Sequence, residues 1–179
     1  KTLREELILK KYKFYSNSDT EVVLNAYKEW GVDSFQKFNG EWSFAILDKK
    51  NNEIIISRDG IGYKPCYIFE NNNFFAFSSE IKPFYVLENT IEFDKNNLGI
   101  NFTTLNNCSK TIFKHVNQLT QGRYLKINLN NLEKRIFRWD YPLKNLPKIN
   151  SGFRENVNDY FDLLYESTKL RLNSDVKTG

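Results

Sequence analysis

Phe38-Asn39-Gly40-Glu41-Trp42-Ser43-Phe44-Ala45-Ile46-Leu47-Asp48, with its continuation to Lys82, decides how this chain folds. From Glu41 the apolar pattern has a period of two. Trp42, Phe44 and Ile46 fall on one face and Ser43, Ala45 and Leu47 on the other, which predicts a strand. Asp48–Asn52 supplies turn formers, and Glu53–Ser57 then carries Ile54-Ile55-Ile56, apolar on both faces. Such a run fits a strand covered on both sides, in a sheet held between two layers. The turn Arg58-Asp59-Gly60-Ile61-Gly62-Tyr63-Lys64 leads to a second hairpin, Pro65–Glu70 and Phe74–Ser78, closed by Asn71-Asn72-Asn73. Phe77-Ser78-Ser79-Glu80-Ile81-Lys82 ends the stretch, with Ser79 placed to cap a short helix Glu80–Val86.

Working outward, Lys1–Tyr12 reads as the end of a helix, because Leu3, Leu7 and Ile8 recur at helical spacing. Ser16-Asn17-Ser18 breaks it. Ser18 precedes Glu21 by three residues, a capping box that opens the helix Asp19–Trp30. Val22, Val23, Ala26, Tyr27 and Trp30 form its apolar face, and Gly31 suits a left-handed stop. The cap is worth about 1 kcal/mol, and it fixes where Asp19 stands. Downstream, Asp94 is placed to cap a short helix near Lys95–Ile100. Arg123–Leu129 and Glu133–Trp139 make a third hairpin through Asn130-Asn131. Asp140–Ser151, with Pro142 and Pro147, reads as a linker. Beyond it Phe153, Val157, Tyr160, Phe161, Leu164, Thr168 and Arg171 recur at three- to four-residue spacing. That is an amphipathic helix, Gly152–Leu172, separate from the β-rich body.

At 179 residues the chain can hold one well-cored domain and part of another. A hydrophobic content of 40% with 16% aromatics is globular, and Phe and Tyr fill a core without Met. No apolar run reaches the roughly 18 residues a membrane span needs, and the start is not a signal sequence. The net charge of +4 is spread along the chain, so neither it nor any motif points to nucleic acid. Cys66, Cys108 and the single His115 form no metal spacing or disulfide framework, and each reads as a packing or surface residue in a reducing cytoplasm. The chain begins at Lys1 and ends at Ser174-Asp175-Val176-Lys177-Thr178-Gly179 without a terminating element, so truncation at both ends is expected.

The N-G-x-x-x-F-A strand at Asn39–Ala45, Arg58-Asp59 through Lys64-Pro65-Cys66-Tyr67, and Ser78-Ser79-Glu80-Ile81-Lys82 together resemble the glutaminase domain of glutamine-dependent asparagine synthetases. Glu166-Ser167-Thr168-Lys169-Leu170-Arg171-Leu172-Asn173-Ser174-Asp175-Val176 resembles the E-S-V-x-x-R-L-x-S-D-V run that opens the synthetase domain of the same family. The likeness covers almost the whole chain and is weakest over Asn89–Ser109. Cys66 stands where the family usually has Leu, and Pro83 where Ala is common.

The resemblance implies an α+β fold, the αββα sandwich of Ntn-type hydrolases, here lacking its first strands and followed by a linker and an isolated amphipathic helix. It implies three parts: a partial class II glutamine amidotransferase domain at 1–139, a linker at 140–151, and the start of an ATP-pyrophosphatase synthetase domain at 152–179. The complete protein is then expected to be an ATP-dependent carbon–nitrogen ligase of asparagine biosynthesis. It would hydrolyse glutamine and pass ammonia to an aspartyl-adenylate made from aspartate and Mg-ATP. In the family the nucleophile is an N-terminal cysteine, the oxyanion is held by an Asn-Gly pair, and an arginine grips the substrate carboxylate. These groups lie upstream of the helix that Lys1–Leu7 resembles. No catalytic, ATP-binding or metal residue is therefore assigned here, and this piece is expected to be inactive and to bind no cofactor. Missing strands would leave open sheet edges, so poor solubility or a compensating homo-oligomer is expected.

One glutamine contact is expected to remain. Ser18-Asp19-Thr20-Glu21 matches the family's S-D-x-E segment, whose Asp binds the substrate α-amino group. Read locally, Asp19 is simply a first-turn acid favoured by the helix dipole; the surrounding match favours the ligand role. Asn39-Gly40 matches the family's structural turn rather than its oxyanion pair. Arg58 and Lys64 could hold an anion beside Gly60 and Gly62, but the spacing fits no phosphate loop. A shaped turn, with Arg58 and Asp59 bonded to backbone and Lys64 solvated, fits better. Ser79-Glu80 reads as a helix cap and first-turn acid, since no His accompanies it. Related scaffolds remain as rivals: β-lactam synthetases, peptide cyclases and surface-polysaccharide amidotransferases. From another class, a non-catalytic interaction module would need no pocket at Asp19.

Overall fold

A computed structural model describes residues 2–87, 91–97, 109–140 and 152–172, apart from the side chains of 153–155. The chain divides into two compact units, 1–141 and 142–179.

The first unit begins with α1 (Thr2–Leu9) and α2 (Asp19–Trp30), followed by a 3-10 segment, Gly31–Lys37. α1 is shorter than its periodicity implies because Lys11 takes a left-handed backbone with φ 69°. Lys11 N–H then donates to the Ile8 carbonyl and Tyr12 N–H to the Leu7 carbonyl, which closes the helix as a Schellman turn. α2 starts and stops where the pattern puts it, but its cap differs from a capping box. Ser18 Oγ accepts from Thr20 N–H at 3.2 Å. Glu21 turns away from Ser18 to accept from the N–H groups of Tyr15 and Ser16 instead. At the other end Gly31, at φ 58°, donates its N–H to the Tyr27 carbonyl.

Among the described residues seven strands follow: β1 (Ser43–Asp48), β2 (Glu53–Arg58), β3 (Tyr67–Glu70), β4 (Phe75–Ser78), β5 (Val116–Gln118), β6 (Arg123–Asn128) and β7 (Lys134–Arg138). They form two antiparallel sheets, one ordered β1-β2-β6-β7 and the other β4-β3-β5. The three hairpins anticipated from turn composition are all present. β5 was not anticipated: Val-Asn-Gln is too short and too polar to show alternation, yet it pairs with β3 from Tyr67–Gln118 to Phe69–Val116. The segments expected as short helices after Ser79 and Asp94 are 3-10 turns, Lys82–Val86 and Lys95–Asn97. Ser78 rather than Ser79 accepts from Glu80 N–H, and Pro83 at the start of the first turn supplies no N–H.

β2 separates two cores, as its triple isoleucine requires. Ile54 and Ile56 face the second sheet and pack with Cys66, Ile68, Leu119, Leu125 and Ile127. Ile55 faces the helical side, with Phe35, Ile46 and Trp139, and the Trp42 and Phe44 rings close that cluster. Phe35 is fully buried; five aromatic rings lie around it, with centroids 5.5–6.4 Å away. A third core, around Phe69, Phe84, Ile91 and Val116, covers the outer face of the second sheet. The layers are helix, sheet, sheet and 3-10 cover.

The second unit holds α3 (Phe153–Arg171). Tyr160, Phe161, Leu163 and Tyr165 on it are exposed. Cys108, the linker residues 141–151, the end of the helix expected to reach Ile100, and the run Asn173–Gly179 lie outside the described residues.

Candidate functional site

A cavity of about 620 Å³ opens between the start of α2, the edge strand β1 and the two loops that flank the β3–β4 hairpin. Asp19 and Thr20 form one rim, and Val23 and Leu24 continue it along α2. Trp42 to Ile46, the buried Ile56 and Cys66, and Lys64, Phe77 and Ser79 complete the lining. Asp19 is exposed in the first turn of its helix, so its carboxylate keeps solvent contact while standing at a concave, mostly apolar surface.

The Lys64–Cys66 part of the lining is shaped by the turn after β2. Arg58 and Asp59 are both buried there. Arg58 donates to three carbonyls, of Lys64 at 2.7 Å, Leu119 at 2.7 Å and Gly62 at 2.5 Å. When its amide oxygen faces the guanidinium, Gln118 adds contacts of 3.1 and 3.2 Å. Burial draws the Arg58 guanidinium below its ordinary value, an effect opposed by the charge of Asp59. The Asp59 carboxylate accepts four backbone N–H bonds, from Trp42, Ile61, Tyr63 and Lys64. Both side chains are thus consumed in holding the Lys64–Cys66 wall, and Arg58 is no anion site. Lys64 is half exposed and 3.8 Å from Glu41, which lines the same cavity.

Cys66 is a buried free thiol. Burial pushes it above its usual value, against smaller opposing effects from Ser43 and Arg58. A protonated, apolar-walled sulfur is a packing group rather than a nucleophile. His115 is exposed, in the turn before β5, in a T-shaped contact with the Phe69 ring. Among the described residues no group of three His, Cys, Asp or Glu side chains could hold a metal ion, and no helix is long and apolar enough to cross a membrane.

The structure therefore gathers Asp19, Lys64, Cys66 and Ser79 around one cavity, while Asn39, Gly40, Arg58, Glu80 and His115 are not among its lining residues. Glu41 and Leu24 escaped the sequence reading. Leu24 belongs to no recognisable motif and Glu41 fills an unspecified position of one; both line the cavity only once the chain has folded.

The glutamine amidotransferase domain family matches residues 1–138. This chain belongs to that family. Asparagine synthetase [glutamine-hydrolyzing] 1 of Bacillus subtilis is 31% identical over 99% of this chain, which corresponds to 28% of that protein. The amidase chry2 of Gibberella zeae is 30% identical over 92% of the chain and 24% of its own length. The amidotransferase chain thus spans less than a third of the length of the curated relatives it matches. Among solved structures, the glutamine phosphoribosylpyrophosphate amidotransferase of B. subtilis superposes with a TM-score of 0.57 at 19% identity. It covers 81% of this chain and 27% of the solved one. That likeness is one of fold, and it agrees with the α+β architecture of helices and two antiparallel sheets in this domain.

Proposed function

We propose that this chain is the glutamine-hydrolysing part of an asparagine synthetase-like ligase, with residues 1–139 as the amidotransferase domain, 140–151 as a linker and 152–179 as the start of the ATP-using domain. The observation that carries the reading is the exposed Asp19 carboxylate at the rim of a cavity of about 620 Å³. A carboxylate there pairs with the α-ammonium of a free amino acid. It discriminates against a peptide glutamine, whose nitrogen is an uncharged amide. One well-placed charge-assisted bond contributes about 1.5–3 kcal/mol, roughly a ten- to hundred-fold gain in affinity. Ammonia released from glutamine would be transferred to an aspartyl group activated with Mg-ATP in the complete protein. No residue of this chain is assigned to the nucleotide or the metal. A cytoplasmic location accompanies this reading, since Cys66 is a free thiol.

A second reading keeps the glutamine half and changes the acceptor. It is favoured by the fungal relatives named amidases, which match this chain about as well as the synthetases do.

The test uses the protein at its full natural length. Glutamate release from L-glutamine is measured with and without aspartate and Mg-ATP, and asparagine is followed by mass spectrometry. Asparagine formed in step with glutamate supports the first reading. Glutamate formed without asparagine supports the second. Asp19→Asn raising the KM for glutamine at least ten-fold is expected under both, and an unchanged KM would remove the glutamine contact.

A further inference from the structure

Asp19 stands on a support that the family assignment does not explain. The loop Phe14–Ser18 that delivers it to the cavity is braced from two helices at once. From α1, Arg4 Nη1 donates to the Ser16 carbonyl at 2.8 Å and Nη2 to the Ser18 carbonyl at 2.9 Å. Its guanidinium also lies over the Phe14 ring, 4.4 Å from the centroid. From α2, Glu21 accepts from Tyr15 N–H at 2.8 Å, Ser16 N–H at 2.9 Å and Ser16 Oγ at 2.8 Å. Ser16 Oγ in turn accepts from Ser18 N–H at 3.2 Å.

The Ser18 carbonyl belongs to the peptide unit that leads directly into Asp19. Fixing its oxygen fixes the plane from which the Asp19 side chain departs. A planar guanidinium can grip two carbonyls with two separate N–H groups, whereas an ammonium is a single point of charge. The Glu21 carboxylate is held below its ordinary value, chiefly by the Tyr15 N–H bond, with Ser16 and the Arg4 charge adding to it. The brace is thus two opposite charges that grip the same loop, Arg4 through carbonyls and Glu21 through N–H groups and the Ser16 hydroxyl.

We propose that Arg4 is the positioning residue for Asp19, setting the carboxylate where a substrate α-ammonium meets it. The inference rests on the glutamine reading of Asp19. Arg4 itself does not touch the substrate. Its loss should therefore weaken glutamine binding through Asp19 alone and leave the chemical step in place.

A double-mutant cycle tests this in the protein at its full natural length, reading KM and kcat for L-glutamine hydrolysis in the wild type, Arg4→Gln, Asp19→Asn and the double variant. Asp19→Asn is expected to raise KM about ten-fold or more. Arg4→Gln is expected to raise it roughly five-fold with kcat within about two-fold, and Arg4→Lys, which keeps the charge but loses the planar fork, to fall between Arg4→Gln and the wild type. In the Asp19→Asn background, Arg4→Gln should add nothing further. Equal effects of Arg4→Gln in both backgrounds, or an unchanged KM in the wild-type background, would overturn the positioning role while leaving Asp19 as a ligand. An Asp19→Asn protein with wild-type KM would overturn both. Should Arg4→Gln fail to fold, Glu21→Gln loosens the same loop from α2 and must show the same non-additivity.

Discussion

Replacing Asp59 with Asn tests how far the cavity wall depends on one buried carboxylate. Asp59 is 1% exposed. One of its oxygens accepts from Ile61 and Tyr63 N–H at 3.2 and 2.9 Å, the other from Trp42 and Lys64 N–H at 3.3 and 3.0 Å. Asn has the same shape but a single acceptor oxygen. If that oxygen keeps Ile61 and Tyr63, the amide nitrogen confronts two backbone donors that no longer have an acceptor. Each lost charge-assisted bond costs about 1.5 kcal/mol, so the two together cost about 3 kcal/mol. For a domain of this size that corresponds to a fall in Tm of roughly 10 °C. Urea and thermal unfolding, followed by far-UV circular dichroism and Trp fluorescence, measure it. A variant within about 0.5 kcal/mol of the parent, the range of an ordinary surface substitution, would refute the account of Asp59 as the hub of the turn.

Phe35→Ala removes the ring at the centre of the aromatic cluster and is expected to destabilise by about 4 kcal/mol, read from the denaturation midpoint. Cys66 should resist alkylation in the folded protein at neutral pH and react fully once unfolded; rapid labelling of the native state would contradict its burial. Because its thiol pKa is raised in the folded state, its contribution to stability is complete below the unfolded value, near 8.5, and is lost as pH rises above it. Stability should therefore fall in alkali, and less so in Cys66→Ala, in unfolding titrations at graded pH.

Much of the architecture was legible because the sequence states it redundantly. The Trp42–Phe44–Ile46 alternation and the Ile54–Ile56 run each name a face, and the faces agree with the two cores they fill. Asn-rich turns marked the hairpins, and Ser18 and Gly31 marked both ends of α2. What stayed hidden depends on partners far along the chain. β5 is a strand only because β3 offers its edge. Glu21 looked like half of a capping box, because the spacing alone cannot tell which N–H groups the preceding loop will offer. The same limit applied at the cavity. Asp19 could be placed from its helix cap, whereas Glu41 and Leu24 line the same space only once the chain has folded.

Trp139 and Asp140 fasten the last strand back onto the turn after β2. The Trp139 indole N–H donates to the Arg58 carbonyl at 3.1 Å, and the N–H groups of Trp139 and Asp140 both reach the Gly122 carbonyl. Gly122 has φ 63°, and a Cβ on it would lie 2.8 Å from that of Asp140. The match to the amidotransferase domain family ends at residue 138, two positions before this clasp is complete. Anyone trimming the domain for expression should therefore cut after residue 141, since a boundary drawn from family likeness alone discards the indole that plugs the helical core.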